Sequence, residues 1–255
     1  MSYYIDLNSD LGESFGAYTM GMDEEVLQYV TSANIACGWH AGDPMVMKRT
    51  VELCRQKGVA IGAHPGYPDL MGFGRRNMTV QPEEAKAYMI YQVGALQAFC
   101  DVHGLSLQHM KLHGAFYNTA CATPALADAI LDGLKAVNPS LAAMVLSGSY
   151  IAKEAQKRGI PVIQEVFADR GYTDEGKLVP RTEQGAFIHD PKEAVERVLM
   201  MIKEGRVLSN TGKSISIQAD SVCVHGDNPQ AIEFVKALRE GLLQEGIILR
   251  NFQDR

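Results

Sequence analysis

At 255 residues, 46% hydrophobic and 21% charged, the chain is long enough for one large α/β barrel or two modest domains, either of which buries its apolar surface without staples. A formal net charge of -6 with no Lys/Arg run lacks the electrostatic footprint of a nucleic-acid binder, so no nucleic-acid partner is expected. Five cysteines without a close CxxC pair point away from a disulfide framework or a cysteine zinc site, and no stretch is long and apolar enough to span a bilayer.

Taken in order, apolar runs at Tyr3 to Leu7, Ala33 to Cys37, Val59 to Ala63, Leu107 to Leu112, Ala142 to Leu146, Pro161 to Val166 and Ser221 to His225 read as strands. Helical stretches separate them. Their starts are marked by a polar cap before proline, as at Asp43-Pro44, Gln81-Pro82, Asp190-Pro191 and Asn228-Pro229, and several end at glycine: Gly58, Gly104, Gly159, Gly205 and Gly246. Seven βα units in alternation require a parallel sheet with right-handed crossovers. Polar clusters follow nearly every strand, which fits the mouth of a closed barrel better than the single switch point of an open sheet. One domain over 1–255 is expected. The opening MSYYIDLNSD has no basic n-region, so a cytoplasmic, soluble protein without membrane association is expected as well. Asp169 to Arg181 reads as a hairpin on the sixth loop, a candidate lid, and Ser214 to Gln218 as a small outer strand.

Three strand ends break at once into polar, glycine-rich residues: DLNSDLGES, NIACGWHAGD and GAHPGYPD. Asp6, Asn8, Asp10, Glu13, His40, His64, Asp43 and Asp69 are therefore the first site candidates. Asp10 and Glu13 are suited to acid/base work, with capping of the following helix an equal alternative. His40 and His64 would be brought near Asp10 by barrel closure, and Asp10, His40 and His64 together could hold a divalent metal or move protons. In LQHMKLHG, the residues His109, Lys111 and His113 share one face; if that face is inward, Lys111 stands in the mouth. Arg75 in FGRR and Arg170 place guanidinium groups on mouth loops, where they could clamp a carboxylate or phosphate oxygen. His225 and Asp227 meet at the last strand end. Lysine is costly to bury without anionic compensation, so a functional Lys111 is expected, with Lys111→Met leaving the fold intact. Neither a phosphate-binding loop, a dinucleotide fingerprint nor a G-x-S-x-G elbow is complete.

Together DLNSDLGESFG, NIACGWHAGDP, GAHPGYPD with FGRR, KLHGAFYN, FADRGY with LVPR, and CVHGDNP closely resemble the LamB/YcsF family, from Asp6 to about Pro229. The resemblance implies a (β/α)7 barrel of the glycoside hydrolase/deacetylase type. It also implies an ATP-dependent lactam hydrolase, the A subunit of a 5-oxoprolinase that cleaves 5-oxo-L-proline to L-glutamate with ATP as co-substrate, Mg2+ accompanying the nucleotide, and B and C subunits as partners. On that reading Asp10 or His64 activates water, with Glu13 beside them, and Lys111 meets the oxyanion or transferred phosphoryl. His113 or His225 delivers a proton, while Arg75, Arg170, Asn8 and Asp227 bind substrate. Two alternatives stay open: a metal-dependent amidase or deacetylase acting alone, and a non-catalytic subunit that binds an organic acid or carbohydrate. Left open likewise are a site-bound divalent metal and a homo-oligomer.

Overall fold

Apolar strands covered by helices on their outer side pair in parallel, and the computed structural model, which describes residues 2–226 and 229–254, is built on that rule. Its elements are β1 (Tyr4–Leu11), α1 (Asp23–Val26), β2 (Ser32–Ala36), α2 (Pro44–Lys57), β3 (Ala60–His64), α3 (Pro82–Val102), β4 (Leu107–Met110), α4 (Gly114–Ala122) and α5 (Pro124–Val137). They continue with β5 (Ala142–Leu146), α6 (Tyr150–Lys157), β6 (Val162–Phe167), α7 (Pro191–Glu204), β7 (Arg206–Leu208), β8 (Ser214–Ser216), β9 (Ser221–Val224), α8 (Pro229–Gln244) and β10 (Ile248–Leu249). Strands β1 to β6 pair in sequence, β6 pairs with β9, and β9 returns to β1 with Asp6 opposite Ser221 and Asn8 opposite Cys223. The result is a closed seven-stranded parallel barrel, a TIM-like (β/α)7 fold. Among the described residues no helix is long and apolar enough to cross a membrane.

Local chemistry sets the helix ends where it was expected to. Asp43 accepts from the amides of Met45 and Val46, Glu84 from the amide of Gln81, and Asp190 from the amide of Lys192, while Gly58 and Gly205 close their helices in the left-handed conformation. Asn228 lies outside the described residues. The hairpin at the sixth loop forms through a Tyr172–Leu178 bridge, and β8 pairs antiparallel with β7 outside the barrel.

Two strands depart from expectation by more than a one-residue shift at an end. β1 runs on to Leu11 rather than stopping at Leu7, because its polar residues are paired inside the barrel instead of released into a loop. The main apolar core lies between strands and helices, a second small cluster gathers Ala142, Met144 and Ile163, and the barrel interior also carries many polar residues. Asp6 accepts from Thr31, Ser32 and Ser221 hydroxyls, Asn8 donates to Ser221 at 2.7 Å, and Asn34 donates to Asn8 and Asp10 at 2.8 Å each. Every buried donor so used avoids a desolvation penalty of about 1–3 kcal/mol. The second departure is in β4, where Ile61 pairs with Leu107 but Gly62 with His109, leaving Gln108 as the extra residue of a bulge. Alternation therefore fails there, and Gln108 accepts from Ser32 in the interior instead of sharing the outer face with Met110. Opposite the bulge, a Cβ on Gly62 would overlap the His109 ring, so only glycine fits.

Candidate active site

A cavity of about 780 Å³ opens at the carboxyl ends of the strands, lined by Asp10, Glu13, His64, Lys111, His113 and His225 among others. Strands β1, β3 and β9 bring Asp10, His64 and His225 to this end as they finish. Lys111 and His113 follow β4, whose ladder continues through Lys111 N to Ala63 O at 2.9 Å and His113 N to Pro65 O at 2.8 Å.

Lys111 points inward, so of the two faces that alternation left open it is the one with His109 that faces the barrel interior. Its ammonium lies 2.7 Å from Glu165 Oε1 and 3.0 Å from Asp10 Oδ1, with Asn8 Oδ1 and Cys223 Sγ each at 3.3 Å. Burial alone would lower the lysine's pKa, but Asp10 and Glu165 outweigh it and hold it well above the ordinary value. Burial likewise works to raise Asp10, and the neighbouring His64 and Lys111 overcome it, so this carboxyl stays well below the usual range. Glu165 is fixed from its other side by the Tyr117 hydroxyl, which donates to Oε2 at 2.8 Å. Glu165, Tyr117, Asn34 and Cys223 were not singled out from the sequence. For Glu165 a signal existed: it is the one charge inside the apolar run PVIQEVF.

Three histidines gather beside this ion network. His64 Nδ1 donates to Lys111 O at 2.8 Å and His113 Nε2 donates to Phe73 O at 2.8 Å, while His64 Nε2 and His113 Nδ1 stand 3.0 Å apart. His40 is fully buried behind them and does not line the cavity; its ring stacks on His113 at 3.6 Å, and its Nε2 lies 3.2 Å from Glu13 Oε1. Burial, followed by the neighbouring imidazoles, holds both His40 and His113 well below the usual histidine pKa. Phe73 supplies its carbonyl from a left-handed backbone, φ 55°, the only described non-glycine residue with positive φ. A bulky side chain there is a strained choice that the surrounding contacts must hold in place.

For a metal, the expected trio Asp10, His40 and His64 is not the set the fold draws together. The donor atoms within 4.8 Å of one another are those of Glu13, His40, His64 and His113, and separately those of Asp10, Cys223 and His225. Asp10 touches the first group only through His64, 3.3 Å from Oδ2 to Nε2.

Other candidates fall away from the mouth. Asn8 is fully buried beneath Lys111, saturated by Ser221, Asn34 and Lys111, and does not line the cavity as a substrate ligand would. Asp6 closes the barrel floor, Asp43 caps α2, and Asp69 binds Gly72 N and Arg76. Neither Asp10 nor Glu13 caps a helix: Asp10 is still within β1. Arg75 is exposed at the rim over Phe73, 5.0 Å from its ring, and reaches the cavity. Arg170 also borders it but is committed elsewhere, donating to Ala186 O at 3.0 Å and Val179 O at 2.6 Å. His225 Nδ1 lies 2.7 Å from Asp169 Oδ2, a dyad that keeps the imidazole oriented. Asp227 lies outside the described residues.

The profile of the LamB/YcsF family matches residues 5–255. The chain belongs to this family. Over 254 residues it is 55% identical to the A subunit of 5-oxoprolinase from Fusobacterium nucleatum, covering 100% of this chain and 99% of that protein. With the A subunit of 5-oxoprolinase from Pyrococcus abyssi it shares 53% identity over 243 residues, 95% of each chain. Among solved structures it is similar to the lactam utilization protein of Thermus thermophilus, 46% identical, with a TM-score of 0.93 over 98% of this chain and 100% of that one.

Proposed function

We propose that this chain is the A subunit of a cytoplasmic, ATP-dependent 5-oxoprolinase, a cyclic-amide hydrolase that opens 5-oxo-L-proline to L-glutamate together with B and C subunits. Full-length similarity to proteins of that name supports the reading. The structural observation that carries it is the buried Lys111 ammonium held between Asp10 and Glu165 at the floor of the cavity.

A five-membered lactam is a resonance-stabilised amide, and its carbonyl carbon resists water until the oxygen is made a better electron sink. Phosphorylation of that oxygen, with ATP and Mg2+ as the donor, supplies the activation. Water then adds at the carbon, the C–N bond breaks as nitrogen takes a proton, and loss of the phosphoryl group to a second water leaves glutamate and phosphate. Asp10, ionised and beside His64, accepts the proton of the attacking water. Lys111 faces the oxygen on which negative charge collects. His225, aligned by Asp169, protonates the departing nitrogen. Arg75 at the rim orients the substrate carboxylate, and Arg170, engaged with Val179 O and Ala186 O, holds the loop at the cavity edge. His113 and Glu13 stand beside the water-activating pair, and Asn8 acts from below by positioning Lys111.

A metal amidase acting alone is less favoured, and so is a purely binding role, given the full-length relatives named as A subunits of 5-oxoprolinase. The test is 5-oxoproline hydrolysis by the purified chain with and without the partner subunits. Negligible activity alone, with glutamate and ADP released together on adding partners and ATP, is expected. Robust ATP-independent turnover by the isolated chain would sink the reading.

A further inference from the structure

A carbonyl oxygen only accepts hydrogen bonds, and two of the three clustered imidazoles are tied to one. Lys111 O lies 2.8 Å from His64 Nδ1, and Phe73 O lies 2.8 Å from His113 Nε2, so both of these nitrogens carry protons. With both rings neutral, the remaining nitrogens, His64 Nε2 and His113 Nδ1, bear lone pairs, yet they face each other at 3.0 Å. Two carboxylate oxygens crowd the same space: Asp10 Oδ2 is 3.3 Å from His64 Nε2, and Glu13 Oε1 is 3.5 Å from His113 Nδ1. Converging lone pairs in a largely buried site repel one another unless positive charge sits among them.

A single added proton on His64 Nε2 would bridge one pair and no more. Glu13 Oε1 would still face the His113 Nδ1 lone pair at 3.5 Å, and Asp10, Glu13 and Glu165 bring three carboxyl groups around Lys111 and the imidazoles, with Arg75 at the rim of the cavity. A divalent ion set among these donors satisfies them together. Two edges of the set Glu13, His64 and His113, at 3.0 Å and 3.5 Å, lie close to the edge of a tetrahedron, about 3.3 Å, around an ion with bonds of about 2.0–2.1 Å. Backbone carbonyls that fix the tautomer from behind are the outer-shell partners metal-bound imidazoles use.

We propose that Glu13 Oε1, His64 Nε2 and His113 Nδ1 hold one divalent transition-metal ion, zinc or a similar first-row ion, at the mouth of the barrel, with His40 as a positioning residue behind Glu13. Imidazole donors favour such ions over magnesium. His40 does not join the set, because the Glu13 carboxylate only accepts, which puts the His40 proton on Nε2, 3.2 Å away. Its buried Nδ1 is then a bare nitrogen without a partner, as observed. The second donor group, Asp10, Cys223 and His225, is not a cation site, since the Lys111 ammonium lies 3.0 Å and 3.3 Å from the first two. The ion does not depend on which amide the mouth opens.

The full-length chain is stripped with a chelator and titrated with Zn2+ by calorimetry and with Co2+ by visible absorption. One ion per chain is expected, with Co2+ bands of the intensity that four- or five-coordinate nitrogen and oxygen sites give. Glu13→Gln and His113→Gln should each weaken binding about 100-fold or more, and His40→Asn about 10-fold at unchanged stoichiometry. Cys223→Ser should leave binding as it is. The proposal is overturned if the stripped wild-type chain takes up neither ion, if affinity is unchanged in both Glu13→Gln and His113→Gln, or if imidazole 15N spectra of the metal-supplied chain show His64 doubly protonated. The wild-type titration and spectra need no variant, so misfolding of a variant leaves the test standing.

Discussion

Lys111 bridges two carboxyl groups, and that revises the expectation that Lys111→Met would leave the fold intact. Removing one partner of a buried ion pair strands the others, at a cost of about 3–5 kcal/mol. Lys111→Met should therefore lower stability in urea denaturation at pH 7 by that order, besides reducing turnover of the reconstituted complex about 100-fold or more. Adding Glu165→Gln should restore part of the stability and none of the turnover; equal stability of Lys111→Met and wild type would show the charges to be independent. The histidines set a pH dependence of the opposite origin. Burial holds His40 and His113 well below the ordinary value and takes His109 down to about 3. Unfolded histidines gain protons as pH falls through about 6.5, whereas these folded ones do not, so stability is fully present above about 6.5 and declines below it. Calorimetry of the metal-stripped chain should show a falling Tm from pH 7 to 5, and a flat Tm over that range would contradict the neutral cluster.

Among the elements, the turn carrying Phe73 and Gly74 ties the third loop to the histidine cluster. Gly74 has φ 63°, and a Cβ there would come 2.7 Å from His40 Cβ and 2.8 Å from His113 Cδ2. Gly74→Ala should cost at least about 1–2 kcal/mol for the left-handed backbone alone, with further loss from displaced rings, so denaturation midpoint and turnover should fall together. The sixth-loop hairpin is fastened differently, through Arg170 to Val179 O and Ala186 O and through the Tyr172 hydroxyl, which accepts from Phe167 N at 2.9 Å. Buried charged hydrogen bonds are worth about 1.5–3 kcal/mol each. Arg170→Ala should therefore speed amide exchange across 171–188 and raise KM for the substrate. Unchanged exchange there would remove Arg170 as the fastening of the hairpin.

At the scale of the whole molecule, closure depends on β1 meeting β9, and a polar plug holds that seam at the floor. Asp6 gathers hydroxyls from β2 and β9 and from Thr31, far from the mouth. Asp6→Ala would strip one short hydrogen bond from each of three buried or half-buried hydroxyls, two of which keep a longer one, to Gln108 and to Leu7 O, for an expected loss of about 3 kcal/mol. For a chain of this size that corresponds to a Tm drop of about 6–12 °C, while the affinity for a probe ion at the mouth should barely move in the folded protein. A variant as stable as wild type would mean the seam is held by its backbone ladder alone.

What the sequence determined by itself was local or periodic. Seven apolar runs, the Asp43, Gln81 and Asp190 helix starts and the left-handed glycines rest on interactions within a few residues, so adjacent letters encode them. The same periodicity put Lys111 on one face with His109, and the closed barrel decided that this face is the inner one. The partners of that lysine were decided only by the tertiary structure, since Cys223 is 112 residues away along the chain and the Asn8–Ser221 contact spans 213. Which imidazole meets which carboxylate follows from strand register around a closed ring and from the bulge at Gln108, and a one-residue shift would turn every one of those side chains to the other face.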